Sequence, residues 1–243
     1  MSTYTKPESL RNTRTHYCPG CGHGIIHKII AEIIDELDIR ENVVAVAPIG
    51  CAVVAYDYLD FDISEAAHGR APAVATGIKR SLPDHLVFTY QGDGDLLAIG
   101  ISELIHAANR GEKFSIIFVN NRVYGMTGGQ MAPTTSLGQK TLTTPSGREI
   151  EGMGEPIDVM KVLEHFSNVK YLARCSLFNP AEIRKTKNCI RRSFDVQLEG
   201  RGFSLVEVVS TCPTYWRMEP GQAMDYVKNT LVPNVQMGVI KDI

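Results

Sequence analysis

The stretch Gly92-Asp93-Gly94-Asp95 decides the fold of this chain, together with Asn121, which follows Asp93 by 28 positions. An apolar segment at 86–90 precedes the first motif, and another at 114–119 precedes Asn121. A helical pattern at 96–109 lies between them. This order predicts a strand, a tight turn, a helix and a second strand. Such a unit places Asp93 and Asn121 side by side at the carboxyl ends of two neighbouring parallel strands.

A carboxylate and an amide oxygen in that position make an oxygen-only donor set that suits Mg²⁺. The glycines let the backbone approach a bulky anion, and the following helix points its N-terminus at it. An anion held by Mg²⁺ and a helix start is most simply a diphosphate. The alternative is that Asp93 and Asn121 only cap the elements that follow them, because Asp and Asn favour local hydrogen bonds.

Length and composition predict one domain, residues 1–243, with a substantial core. The chain is 44% apolar and 21% charged, in the range of globular domains. A net charge of −2 and a pI of about 6.4 give no basic footprint for nucleic acid. Residues 1–6 lack the apolar run of a secretory signal, and no apolar stretch approaches the length of a membrane span. We therefore expect a cytoplasmic protein without membrane or nucleic-acid partners.

The remaining elements are predicted from apolar periodicity and turn residues. Alternating strands and helices imply an α/β fold, a parallel sheet with helices on both faces. The segment 121–156 is long and irregular, which is typical of functional loops. Asn179 is the predicted N-cap of a helix that opens with Pro180. The predicted helices are 25–37, 71–80, 157–165 and 180–198, and the predicted strands beyond the first unit are 43–47, 169–173 and 203–209.

Four of the six cysteines have positions that suggest a shared role. Cys18 and Cys21 form a CxxC, while Cys51 and Cys212 follow predicted strands, as Asp93 does. Carboxyl ends of parallel strands share one sheet edge, so these thiols should lie near the diphosphate site. Four thiolates bind either zinc or a [4Fe–4S] cluster, and spacing alone does not choose between them. Position favours the cluster, because an electron acceptor must be close to its donor.

The other two cysteines, Cys175 and Cys189, have no CxxC partner. One ends a predicted strand and the other lies in the middle of a predicted helix. Free cysteine is among the residue types most often buried. We predict that both are buried thiols without a ligand.

Six motifs, in order along residues 15–215, resemble the β subunit of the 2-oxoacid:ferredoxin oxidoreductases, which are thiamine diphosphate enzymes. The GDG…NN pair alone is typical of thiamine diphosphate binding, and its combination with CPGCGH and two later cysteines is more specific. The motifs are Tyr17-Cys18-Pro19-Gly20-Cys21-Gly22-His23, Ile49-Gly50-Cys51, Ala67-His68-Gly69-Arg70, Gly92-Asp93-Gly94-Asp95, Asn120-Asn121 and Tyr124-Gly125-Met126-Thr127-Gly128-Gly129-Gln130.

The resemblance implies three sites. Mg²⁺ would be held by Asp93, Asn121 and the backbone carbonyl of Val123. One [4Fe–4S] cluster would be held by Cys18, Cys21, Cys51 and Cys212, with the N-terminal CxxC segment and the C-terminal tail wrapped around it. Thiamine diphosphate would contact Ile49, Gly50, Cys51, Ala52, His68, Gly92, Gly94, Asp95, Tyr124, Gly125, Met126 and Thr127.

Some roles stay open at the level of sequence. His68 is the candidate catalytic residue, through contact with cofactor or substrate, and a buried structural histidine is the alternative. His23 is interpreted as a residue of the cluster loop. Arg70 either has a role in the site or pairs with a surface carboxylate. Tyr215 and Trp216 are expected to pack around the cluster.

The resemblance implies oxidative decarboxylation of a 2-oxoacid to acyl-CoA and CO₂, with electrons passed through the cluster to ferredoxin. Thiamine enzymes also need a glutamate on the pyrimidine ring, and nothing in the sequence aims Glu65 or Glu103 there. We therefore expect an α-type partner subunit that carries the pyrimidine-binding domain. Two other functions remain: a non-oxidative thiamine diphosphate decarboxylase or synthase subunit, and a zinc-stabilised non-catalytic subunit.

Substrate choice is predicted from the residues after Cys51. Some relatives that take a charged 2-oxoacid carry a basic residue there, whereas this chain has Ala52-Val53-Val54-Ala55. The apolar stretch favours a branched-chain acid such as 2-oxoisovalerate. Because the partner subunit can also decide, 2-oxoglutarate and pyruvate remain alternatives.

Overall fold

The structure, a computed structural model, describes residues 5–243. Residues 1–4, where the sequence predicts no secretory signal, lie outside the described residues. Seven strands form one sheet in the order β2-β1-β3-β4-β6-β5-β7. They are β1 (Val43–Ala47), β2 (Asp62–Glu65), β3 (Leu86–Gly92), β4 (Ser115–Asn120), β5 (Val169–Ser176), β6 (Phe203–Val209) and β7 (Gly238–Asp242).

Strands β1 to β6 are all parallel to one another, as predicted, and the two edge strands, β2 and β7, are the ones that the sequence did not predict. β7 runs antiparallel to β5, and β2 pairs parallel to β1. Neither was predicted, because both are short and partly exposed and lack the apolar run that marks the buried strands. The central strands β1, β3, β4 and β6 are buried along their whole length apart from Gly92.

Helices cover both faces of the sheet. One face packs against α1 (His23–Leu37) and α5 (Pro180–Leu198), and the other against α2 (Ala71–Ser81), α3 (Ile101–Arg110) and α4 (Val159–Leu163). The predicted cap of α5 is confirmed, since the Asn179 side chain accepts from the N–H of Glu182 at 2.9 Å. Cys175 and Cys189 are buried between β5 and α5, as predicted.

The prediction of one continuous helix over 96–109 is wrong. A π-helical turn, Gly94–Ile99, ends at Gly100 before α3 begins. A Cβ at Gly100 would lie only 2.6 Å from the carbonyl oxygen of Gly69, so the loop before α2 presses against this point. The close approach of two backbones requires glycine and interrupts the regular helix.

The end of the chain folds back over the carboxyl edge of the sheet. It forms α6 (Pro213–Trp216) and α7 (Pro220–Tyr226), then a π-helical turn, Val227–Leu231. Arg174 of β5 and Glu207 of β6 form a buried ion pair, with Nε and Oε2 2.7 Å apart.

None of the helices within residues 5–243 combines the length and apolarity that crossing a bilayer would require.

Candidate functional site

Four adjacent strands deliver the candidate residues to one edge. Cys51 follows β1, Asp93 directly follows β3, Asn121 directly follows β4 and Cys212 follows β6. These strands are parallel neighbours, so their carboxyl ends lie side by side. In open parallel sheets this edge is where ligands bind.

Asp93 and Asn121 converge on a single peptide group. The N–H of Val123 is 3.1 Å from Oδ2 of Asp93 and 3.2 Å from Oδ1 of Asn121. Asp93 also accepts from the N–H of Gly94 at 2.8 Å and from the Thr134 hydroxyl at 2.8 Å. Each carboxylate oxygen has two lone pairs, so Oδ1, with one hydrogen bond, retains a free one for a metal ion.

The electrostatic environment of Asp93 is dominated by burial, which raises the pKa of its carboxyl to about 6. The hydrogen bonds from Thr134, Gly94 and Val123 act in the opposite direction and favour the ionised form. The residue is only 3% exposed. A bound divalent cation would supply the positive charge that a buried carboxylate otherwise lacks.

A cavity of about 110 Å³ lies beside Asp93 and Asn121. Its wall contains all twelve residues predicted to contact the cofactor, from Ile49–Ala52, His68 and the GDGD motif to Tyr124–Thr127. His23, Pro48 and Val119 also line it, and the sequence analysis did not assign these three to the cofactor.

Two glycines shape the wall of this cavity. A Cβ at Gly94 would lie 2.0 Å from the ring of Tyr124, so only glycine allows the ring to pack there. A Cβ at Gly125 would lie 3.0 Å from Sγ of Cys51. Both glycines line the cavity, so backbone without a side chain faces it at these positions, as close approach to a bulky anion requires.

His68 is held by a buried carboxylate. Its Nδ1 lies 2.6 Å from Oδ1 of Asp95, which also accepts from the N–H of Gly69 at 2.8 Å. Oδ2 of Asp95 accepts from the Gln91 amide at 2.6 Å. An ionised carboxylate can only accept, so Nδ1 carries the hydrogen. In the neutral form of the ring, Nε2 is then the acceptor. Asp95 thus acts on the cavity wall through the orientation of His68.

Arg70, whose role the sequence left open, pairs with Glu103 of α3. The pair lies on the exposed side of the same loop, and the Glu103 carboxylate also accepts from the hydroxyl of Ser102 at 2.7 Å. Glu103 is therefore engaged within this chain.

The four predicted cluster cysteines line a second, smaller cavity of about 60 Å³. His16, Tyr17, Pro213, Thr214 and Tyr215 complete much of its wall. The predicted packing role of Tyr215 matches its place there, whereas Trp216 donates from Nε1 to the carbonyl of Asn121 at 3.1 Å. Among residues 5–243, no three His, Cys, Asp or Glu side chains converge closely enough to form a preformed single-ion site.

Local contacts bring the CxxC loop to the end of β6. The Thr211 hydroxyl donates to the carbonyl of Gly20 at 2.5 Å. A Cβ at Gly22 would lie 2.2 Å from Oγ of Ser210, so the Gly22 backbone packs directly against the Ser210 side chain. Cys18 and Cys21 are thereby placed next to Cys212, although about 190 positions separate them in sequence.

Cys51, Asn121 and Gly125 line both cavities. The Cβ position of Gly125 is 3.0 Å from Sγ of Cys51 and 3.7 Å from Sγ of Cys212. The two sulfurs are therefore no further apart than the sum of these distances. The cofactor cavity and the cysteine cavity share one wall.

Burial keeps the thiols of Cys51 and Cys212 protonated near pH 7 in the absence of a ligand. It raises the pKa of Cys51 to about 11 and that of Cys212 to about 12, and neighbouring thiols add to both shifts. Metal binding to such thiols requires loss of their protons, so affinity for a cation would rise with pH.

Beneath the shared wall lies a group of aromatic side chains that sequence reasoning did not connect. Nδ1 of His23 is 2.7 Å from the Tyr90 hydroxyl, and the ring of Tyr17 stacks on His23 with centroids 4.9 Å apart. Burial lowers the pKa of His23 to about 4 and that of His27 to about 3. Both histidines are therefore neutral near pH 7, and His23 reaches from the cluster loop into the cofactor cavity.

Comparison with known proteins gives a consistent result. The family model "Thiamine pyrophosphate enzyme, C-terminal TPP binding domain" matches residues 48–208. Ketoisovalerate oxidoreductase subunit VorA of Methanothermobacter thermautotrophicus is 48% identical over 236 residues, covering 93% of this chain and 50% of the relative. The chain thus spans about half the length of that relative. 2-Oxoglutarate synthase subunit KorB of Archaeoglobus fulgidus is 38% identical over 214 residues, covering 88% of this chain and 76% of the relative.

A solved structure agrees with these relatives. The 2-oxoglutarate:ferredoxin oxidoreductase from Magnetococcus marinus, with 2-oxoglutarate, coenzyme A and succinyl-CoA bound, superposes with a TM-score of 0.80 at 25% identity. The match covers 100% of this chain and 86% of the other. On the family model, the sequence relatives and the fold together, the chain belongs to the thiamine pyrophosphate-binding subunits of the 2-oxoacid oxidoreductases.

Proposed function

We propose that this chain is the thiamine diphosphate-binding β subunit of a 2-oxoacid:ferredoxin oxidoreductase. The complex would convert a 2-oxoacid and coenzyme A to acyl-CoA and CO₂ and pass two electrons to ferredoxin. The observation that carries the proposal is the wall shared by the two cavities, with Cys51 and Asn121 in both. An electron acceptor bound by the cysteines would lie next to the cofactor that donates to it.

The residues present fit thiamine diphosphate with Mg²⁺. Asp93 and Asn121 offer oxygen ligands beside a cavity closely approached by backbone at Gly94 and Gly125. The carbonyl of Val123 is the proposed third ligand. When bound, the cofactor supplies an electron sink for decarboxylation. The protein's part would be to fix the diphosphate end through Asp93 and Asn121, with His68 in the wall of the same cavity.

His68 is the proposed catalytic contact. Its Nδ1–H is held by Asp95, so the ring cannot turn freely and Nε2 is presented as an acceptor. In this tautomer the side chain can accept a proton or a hydrogen bond from a group in the cavity. His23, fixed by the Tyr90 hydroxyl, adds a second neutral imidazole to the same cavity.

The cysteine cavity is the proposed site of one [4Fe–4S] cluster held by Cys18, Cys21, Cys51 and Cys212. A cluster of this kind accepts and releases single electrons. Zinc is the alternative occupant of a four-cysteine site. A structural zinc would gain nothing from sharing a wall with the cofactor cavity, whereas electron transfer depends on that proximity.

A branched-chain 2-oxoacid such as 2-oxoisovalerate is the proposed substrate, with 2-oxoglutarate as the second candidate. Ala52 lines the cofactor cavity, is 2% exposed, and is followed by Val53 and Val54. An apolar wall favours an alkyl side chain over a second carboxylate. The greater identity to a ketoisovalerate oxidoreductase subunit than to a 2-oxoglutarate synthase subunit points the same way.

The proposed partner is an α-type subunit with the pyrimidine-binding domain. In this chain Glu103 is occupied by Arg70, and Glu65 is exposed on β2. The irregular segment 121–156 offers apolar side chains to a partner, namely Met126, Leu137, Leu142 and Ile150, which are 48–65% exposed. Coenzyme A, ferredoxin and a cytoplasmic location remain predictions that follow from the proposed reaction.

Metal analysis of protein purified without oxygen tests the proposal. We expect a brown protein with about four iron atoms per chain and no zinc. The complex should oxidise a 2-oxoacid when coenzyme A and ferredoxin are supplied, and the isolated chain should not. A colourless protein with zinc would reject the oxidoreductase, and a metal-free protein that decarboxylates 2-oxoacids would support the non-oxidative alternative.

A further inference from the structure

His16 joins two of the three segments whose cysteines line the smaller cavity. Its Nε2 lies 2.9 Å from the backbone carbonyl oxygen of Cys51, and its Nδ1 lies 2.6 Å from the Tyr58 hydroxyl. Its own N–H also contacts that hydroxyl, at 3.1 Å. His16 precedes Cys18 by two positions, so it connects the CxxC segment to the turn that carries Cys51.

The partners of His16 determine its tautomer. A backbone carbonyl can only accept, so Nε2 carries the hydrogen and donates to Cys51. Nδ1 is then the acceptor, and the Tyr58 hydroxyl donates to it. Tyr58 is 5% exposed, and the His16 ring packs against Tyr17 with centroids 4.5 Å apart. The ring is thus fixed on both edges and on its face.

The Cys51 carbonyl depends on this contact. In the turn after β1, the N–H of Val53 donates to the carbonyl of Gly50, and the N–H of Ala55 donates to the carbonyl of Ala52. Neither of these two hydrogen bonds uses the carbonyl of Cys51. Gly50 adopts a φ of +133°, a conformation that other residues rarely adopt. The chain therefore turns sharply just before Cys51, whose side chain lines both cavities. The carbonyl of Cys51 accepts the hydrogen bond from His16.

We propose that His16 is a positioning residue for Cys51 and tunes the reduction potential of the group that the four cysteines bind. This inference rests on the proposed function, since it assumes an iron–sulfur cluster at that site. The Nε2–H group offsets the negative end of the Cys51 carbonyl dipole. Without it, that dipole would disfavour the added electron, and the potential would become more negative.

Two substitutions distinguish the effect of the His16 hydrogen bond from the effect of its ring. His16→Phe keeps an aromatic face for Tyr17 and removes both nitrogens. His16→Gln loses the ring and retains an N–H donor within reach of the Cys51 carbonyl. Each would be made in the intact complex, purified without oxygen. The readouts are the cluster potential, from a redox titration followed by electron paramagnetic resonance, and the rate of iron release to a chelator.

We expect His16→Phe to shift the potential to more negative values and to release iron several-fold faster, with His16→Gln close to wild type on both measures. His106→Phe, on the exposed face of α3, is the matched control and should change neither. If His16→Phe prevents folding, Tyr58→Phe removes the hydroxyl that donates to Nδ1 and should shift the potential in the same direction by a smaller amount.

Equal potentials and iron-release rates in His16→Phe and wild type would overturn the inference. So would equal shifts in the Phe and Gln variants, because the ring and not the donor would then matter. Iron analysis of the wild-type complex distinguishes the two possible failures. Absence of iron rejects the proposed function, whereas a full cluster that ignores His16 rejects only the positioning role.

Discussion

Asp93→Asn tests the magnesium site most directly, because it removes one charge and changes little else. The Asp93 side chain accepts three hydrogen bonds, from Gly94, Val123 and Thr134. An asparagine can place its side-chain oxygen at the position of Oδ2 and keep the hydrogen bonds from Val123 and Thr134. Its NH₂ group then faces the N–H of Gly94. That buried donor–donor contact costs about 1–3 kcal/mol of folding free energy, which a stable domain tolerates.

The effect on ligand binding should be larger than the effect on folding. Replacing the charged partner of a buried cation costs about 3 kcal/mol or more, and every 1.4 kcal/mol is about tenfold in affinity. We therefore expect the Mg²⁺-dependent affinity for thiamine diphosphate to fall by roughly hundredfold. Thr134→Val is the matched control. It removes one hydrogen bond to Asp93 and leaves the charge, so its effect should stay below about tenfold.

The chain contains its own reporter for this titration. Trp216 is the one tryptophan in the sequence, and its Nε1 donates to the carbonyl of Asn121. Binding at Asn121 should therefore change its fluorescence. Thiamine diphosphate is titrated at fixed Mg²⁺, then Mg²⁺ at fixed cofactor, and unfolding in urea confirms that the variant is folded. Unchanged affinity in folded Asp93→Asn protein would refute the assignment.

Three further substitutions examine other parts of the structure. Gly94→Ala places a methyl group against the Tyr124 ring and should weaken cofactor binding by about 1–3 kcal/mol. The same fluorescence titration measures this change, and wild-type affinity would show that the ring can move freely. Asp95→Asn removes the charged acceptor of His68 and should lower the turnover of the complex, measured with saturating cofactor, about tenfold or more; unaltered turnover would exclude a role for the pair. Arg174→Met breaks a buried ion pair and should lower the free energy of unfolding by about 3–5 kcal/mol, measured in urea; a loss below 1 kcal/mol would mean that the remaining carboxylate finds another partner.

The site residues that directly follow buried strands could be predicted from sequence. An apolar run marks a strand, and the first polar residue after it marks the carboxyl edge, as at Asp93 after β3 and Asn121 after β4. Strands that are consecutive in sequence are neighbours in about two-thirds of cases, which makes β3 and β4 the expected pair. The same reasoning placed Cys51 and Cys212 on the edge, because each follows a strand by a few residues.

Contacts between distant segments could not be predicted in this way. His16 lies in a polar segment without periodicity, and its two partners are 35 and 42 positions away. His23 follows the last cysteine of the CxxC by two positions, yet its side chain is held by Tyr90, 67 positions later. The break at Gly100 likewise results from the approach of the loop at Gly69. The sequence around each of these residues contains no signal that predicts its distant partner.

The strand order explains why two such different groups can share a wall. Cys51 follows β1, the neighbour of β3, which ends beside Asp93, and both residues line the same cavity. Cys212 follows β6 on the other side of β4, which ends at Asn121. Cys51 and Cys212 therefore flank the two proposed magnesium ligands, and the CxxC loop lies against the end of β6. A cysteine after β2 or β5 would lie one strand further out, and the separation of donor and acceptor would increase by about 4.8 Å, the distance between neighbouring strands.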